Sequence, residues 1–70
     1  MFDYQKLKAR IMEILKTQAS FADMMGMSVT AVNQRLNGGV EWKSSEIVNA
    51  CRILNIDLED AYLYFFVLKV

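Results

Sequence analysis

Val29, Thr30, Asn33, Gln34 and Asn37 are the residues of this 70-residue chain whose types and spacing best suit recognition chemistry. Placed on one short helix, they share its solvent side. The amides of Asn and Gln can bond adenine in bidentate fashion in a DNA major groove, and Val and Thr can touch a thymine methyl. No Lys or Arg stands among the leading positions, so guanine readout is weak. Two other groupings invite chemistry and are better read as structure. Asp57, Glu59 and Asp60 put three carboxylates within four residues, a pattern that acid–base work or a cation site would use. At the head of a helix the same pattern is a cap, Asp57, followed by two acids facing the positive end of the dipole. Cys51 is the only cysteine, and it falls on the apolar stripe of Ile47, Cys51 and Leu54, so it reads as a small core residue.

The elements that must position the amide row are two short helices and the turn between them. Thr17 caps the first, Ala19–Met25, and Gly26 supplies the positive φ that ends it. Ser28 caps the second, Val29–Leu36, which Asn37-Gly38-Gly39 closes. Phe21, Ala22 and Met25 share one face of the first helix, and Val32 and Leu36 one face of the second. Ala22 is small enough to let the helices approach where they cross, and Met27 fills the corner.

This spacing is a helix-turn-helix signature. The run Ser20-Phe21-Ala22-Asp23-Met24-Met25-Gly26-Met27, with Gln18, Val32 and Asn37-Gly38 at the matching positions, resembles the lambda-repressor-like family of phage repressors and Cro proteins. The resemblance extends over roughly residues 7–66, and the segment from Trp42 to Phe66 looks like that of a small group of phage-encoded helix-turn-helix proteins. It implies an all-α, five-helix lambda-repressor-like domain. It also implies that Val29, Thr30, Asn33, Gln34 and Asn37 face base edges, while Gln18 and Ser28 face phosphates. Arg35 occupies a place that is often apolar in the family, where it can reach back to phosphate or pair with Glu41. Met24 and Val29 depart from the charged or polar residues usual there, and two exposed apolar side chains suit a protein-binding face.

Around the motif, the chain reads as one domain over residues 1–70. A first helix from Tyr4 to Lys16, capped by Asp3, has a buried stripe of Leu7, Ile11, Ile14 and Leu15. Lys6, Lys8, Arg10 and Glu13 fall on its solvated side, where the bases make either a soluble face or a phosphate contact. Trp42 packs under the Gly38–Glu41 loop. A fourth helix begins at Lys43 or Ser44 and ends near Asn55, with Ile47, Cys51 and Leu54 buried and Val48 and Ala50 alongside. A fifth helix opens at Asp57 and returns Ala61, Tyr62, Phe65 and Phe66 to the core. Residues 67–70 form an apolar tail, an extended arm or edge strand suited to docking on a second subunit.

Composition bounds the function. Eight basic and eight acidic residues give zero net charge, whereas a DNA-binding domain is usually basic. Six of the bases and four of the acids fall in residues 1–43, so the motif half is mildly positive. The apolar fraction of 54% is high for so short a chain, and some apolar surface must await a partner. With no histidine a metal cage is not expected, and neither a nucleophile–base pair nor a Gly-rich phosphate loop can be assembled. An enzyme and a cofactor are therefore not expected. The longest apolar run, Ala61–Leu68, is too short to span a membrane, and Asp3 breaks any export signal, which points to the cytoplasm of a bacterial cell.

Two functions follow from the resemblance. In the leading expectation the chain is a phage-type transcriptional regulator in the lysis/lysogeny switch. As a homodimer it would bind an AT-containing palindromic operator, with recognition helices about 34 Å apart. In the alternative it is an antirepressor or modulator that grips the DNA-binding domain of a partner repressor and covers its operator surface. Met24, Val29, Arg35, Phe66, Val67 and Leu68 are the candidates for such a protein interface.

Overall fold

The computed structural model describes residues 1–70. Helices α1 (Gln5–Leu15), α2 (Gln18–Met25), α3 (Val29–Leu36), α4 (Ser44–Leu54) and α5 (Tyr62–Phe65) follow in order, with a 3-10 turn at Leu58–Asp60. The fold is all-α, with five helices and no sheet. α2 lies at its centre and packs against α1, α3 and α4, while α5 closes on α1.

Each helix boundary has a local cause. The Thr17 hydroxyl oxygen accepts from the Ser20 N–H at 3.0 Å and starts α2. Gly26, at φ 69°, ends it: its N–H reaches the Asp23 carbonyl and the next N–H, of Met27, reaches Ala22 at 2.9 Å. This pair of bonds is the Schellman closure, which requires a left-handed residue and is cheapest for glycine. Ser28 caps α3 through the Ala31 N–H at 3.0 Å. α4 opens with a carboxylate reaching back, Glu46 accepting the Lys43 N–H at 2.9 Å. It ends at Asn55, φ 59°, a residue that tolerates the left-handed region better than most.

The core consists of Tyr4, Leu7, Ile11, Phe21, Ala22, Val32, Leu36, Ala50, Cys51, Leu54, Ile56, Ala61 and Phe65. Phe21 and Phe65 are its largest fully buried side chains, each worth about 1.5–3 kcal/mol when removed from water. Trp42 meets Phe65 edge-on at 5.3 Å and Phe21 at 6.4 Å, so it joins the C-terminal helix to the motif. Burial pushes the Cys51 thiol up, in keeping with packing rather than reactivity.

Several expectations are corrected. α1 starts at Gln5, and Asp3 meets it two residues ahead, its carboxylate accepting the Gln5 N–H at 2.9 Å. The buried line of α1 runs Tyr4, Leu7, Ile11 and, half-buried, Leu15. At about 100° per residue Ile14 falls at the rim of that line and stays exposed. Met25 and Ile47 are only half-buried, and Val48 turns to solvent, a quarter-turn from Ile47. The fifth helix is not continuous from Asp57. A 3-10 turn precedes a single α-turn, and the Asp57 side chain makes no cap bond. Within it Ala61 and Phe65 are buried, whereas Tyr62 and Phe66 are more than half exposed. Arg10 is not a free base: its guanidinium bonds the Leu54 and Asn55 carbonyls at 3.0 and 3.2 Å and pins α1 to the end of α4.

The tail docks on its own chain. Phe2 and Leu68 form one antiparallel bridge, with Asp3 N–H on Val67 O at 2.6 Å and Lys69 N–H on Met1 O at 2.9 Å. Phe2 also meets Phe66 edge-to-face at 5.7 Å. The two ends of the chain thus form a clasp beside the C-terminal end of α3, where the Met1 side chain lies against Gly38.

Candidate partner-binding surface

The face that α2 and α3 turn outward contains most of the expected site residues. Ser28, Val29, Thr30, Asn33, Gln34 and Asn37 are all exposed along α3 and its caps, and Gln18 is half-buried at the head of α2. Asn37 donates its amide to the Asn33 side-chain oxygen at 3.3 Å, which joins the last two members of the row. The Ser28 oxygen already accepts the cap bond, leaving its hydroxyl proton free to donate outward. Met24 and Val29, on either side of the turn, are 54% and 50% exposed. Val29 therefore puts an exposed apolar side chain at the head of the polar row.

Arg35 is not on this surface. Its side chain is only 12% exposed; Nε donates to Glu46 at 2.9 Å and Nη1 to the Ala31 carbonyl at 3.0 Å. The expected partner, Glu41, is replaced by Glu46, which the first turn of α4 brings within reach of Arg35. Burial pushes the Glu46 carboxyl up. The Arg35 hydrogen bond, the Lys43 N–H and the two positive charges outweigh burial and leave it below its ordinary value. Arg35 is the sole Lys or Arg between Thr17 and Gly38, so the α2–α3 pair offers no free cation. DNA-binding affinity draws heavily on phosphate neutralisation, and this face supplies little of it.

Phe66, Val67 and Leu68 belong to a second surface, the terminal clasp, where they are 51%, 40% and 69% exposed. Two residues that matter escape a reading of the sequence. Glu46 carried a legible signal, standing three residues after the cap position Lys43, the spacing of a capping box. Phe2 carried none, since its partners Phe66 and Leu68 lie at the far end of the chain. No three of the acidic or thiol side chains gather where a metal ion would fit, and no helix is long and apolar enough to cross a membrane.

The geometry defines an all-helical domain in which α2 and α3 are joined by a tight turn, and the exposed side of α3 carries an amide row without free positive charge. The chain belongs to the family described as Protein of unknown function (DUF739), whose model matches residues 1–67. It is similar to the modulator of repression (MOR) of the temperate bacteriophage TP901-1 from Lactococcus lactis. That solution structure superposes with a TM-score of 0.82 at 40% sequence identity, over 93% of this chain and 88% of the other. A comparison with curated proteins returned no match.

Proposed function

We propose that this chain is a phage-type regulator that binds the DNA-binding domain of a partner repressor through its α2–α3 face and thereby relieves repression. The carrying observation is the face itself: Met24 and Val29 are half exposed beside neutral amides, and the lone cation Arg35 is held by Glu46. Such a face loses little on desolvation against protein and gains little from phosphate. The likeness to a phage protein named for modulating repression supports this choice over the leading expectation.

Operator DNA is the second reading, favoured by exposed Thr30, Asn33 and Gln34 on one side of α3. The experiment that decides is a pair of titrations with the unmodified protein, one against the repressor's DNA-binding domain and one against the phage switch region at low salt. Binding to the repressor domain with release of operator supports the proposal. Specific operator binding by the protein alone, without repressor binding, overturns it.

A further inference from the structure

We propose that the outer edge of the terminal clasp, at Leu68, takes a second copy of this chain by antiparallel strand addition. The inference is independent of which partner the α2–α3 face takes. Its basis is the register of the clasp. The Asp3–Val67 and Lys69–Met1 hydrogen bonds flank the Phe2–Leu68 pair without involving either residue's own backbone. That is the non-hydrogen-bonded pair of an antiparallel ladder, in which both residues aim N–H and C=O away from each other. No partner takes the Leu68 N–H or C=O, and Leu68 is 69% exposed.

The two outer edges are not equivalent. The Phe2 edge is backed by the chain, since Met1, Phe2, Tyr4, Gly38, Val40 and Glu41 line one depression. The Leu68 edge is open, and an open edge is a template for another strand.

That edge is complementary to itself. With Leu68 opposite Leu68 of a second copy, a two-fold axis passes between them. The two N–H and two C=O groups then satisfy one another in a pair of identical bonds, an isologous contact. The result is a four-stranded antiparallel sheet in the order Phe2, Leu68, and the same two strands reversed. Leu68 from both copies shares one face of it with Phe2. On the other face Val67 stands opposite Lys69 of the second copy, whose stem can cover it. Lys69 of the second copy also falls in the row of Asp3, about two strand spacings or ~10 Å away, so unlike charges line up and no like charges stand directly opposite. A single edge of two strands is marginal; doubling it and covering Leu68 is what makes closure favourable.

The test is sedimentation equilibrium of the full chain from micromolar to millimolar concentration, combined with amide hydrogen exchange at Leu68. The expected result is a rise from the 8.1 kDa monomer toward twice that mass, with Leu68 N–H protection growing in step. Leu68→Pro removes the outward donor together with the exposed Leu side chain of the same edge, so it should weaken association by about tenfold or more. A monomer at every concentration with an unprotected Leu68 amide overturns the proposal. So does a dimer that persists undiminished in Leu68→Pro. The exchange measurement uses the unmodified chain and decides the matter even if the variant folds poorly.

Discussion

Glu46 of α4 holds Arg35 of α3 at 2.9 Å, and the same carboxylate oxygen accepts the Lys43 N–H at 2.9 Å. One side chain therefore starts α4, ties it to α3 and removes the motif's lone cation from the surface. Glu46→Gln keeps the shape and weakens both bonds, so it should lower stability by about 1–3 kcal/mol near neutral pH. The Glu46 carboxyl sits below its ordinary value in the folded protein. A depressed carboxyl stabilises the fold fully above its unfolded pKa and loses that contribution as pH falls through the folded one. The gap between wild type and Glu46→Gln should be constant above about pH 5 and shrink below about pH 4. Urea denaturation across that range checks it, and a gap that widens on acidification contradicts the assignment.

Ala22 is 1% exposed at the centre of the α2–α3 contact. Ala22→Leu should overpack the crossing, at about 1–3 kcal/mol. For a domain of this size each kcal/mol is about 4–8 °C in Tm. An unchanged melting curve would mean that the helices are not in close contact there.

Lys16 ends α1 at φ 72°, a conformation that a long side chain adopts with strain. Its ammonium bonds the Glu13 carbonyl only in the exposed last turn, which is worth little. Lys16→Gly should raise stability by about 0.5–1 kcal/mol: relief of about 1–2 kcal/mol of strain is partly offset by the freer unfolded chain. Asn55→Gly, at φ 59°, should be nearly neutral, because Asn already tolerates that region. Equal effects of the two substitutions in a thermal melt would refute this ordering.

The motif was legible because its signals are local. Thr17, Gly26 and Ser28 each act within a few residues, and the structure places their caps and the α3 boundaries where those signals point. The C-terminal region was not, because its structure is decided by distant partners. Helical period points Phe66 inward, yet α5 is a single turn and Phe66 meets Phe2 instead. The sequence leaves Arg35 a choice of phosphate or the nearer acid, Glu41, and in the fold it reaches Glu46 instead. Which acid it reaches depends on where the packing of α4 on α1 and α2 leaves Glu46, a tertiary fact that spacing does not encode. Net charge was the most informative global quantity. A neutral chain argued against a phosphate-binding face, and the ion pair between Arg35 and Glu46 strengthens that point locally.

The two functional readings separate on four substitutions. Met24 and Val29 are the apolar members of the face, and Asn33 and Gln34 are its amides. If the face is buried against a repressor domain, Met24→Asp or Val29→Asp would place an unpaired charge in a desolvated contact. Each should weaken that complex by more than about a hundredfold, with the fold intact because both side chains are half exposed. Asn33→Ala and Gln34→Ala should weaken it far less, since an exposed amide at the rim of a contact exchanges one set of hydrogen bonds for water. On operator DNA the order reverses: the amide substitutions would lose roughly 1–3 kcal/mol on the specific site and little on random sequence. The salt slope there would be shallow, with no free cation on α2 or α3 to displace counterions. Isothermal titration of all four variants against both partners reads out the two patterns. The proposal requires the Asp variants to fail on the repressor domain while the Ala variants still bind it. It is abandoned if the Asp variants bind the repressor domain as well as the unmodified chain does.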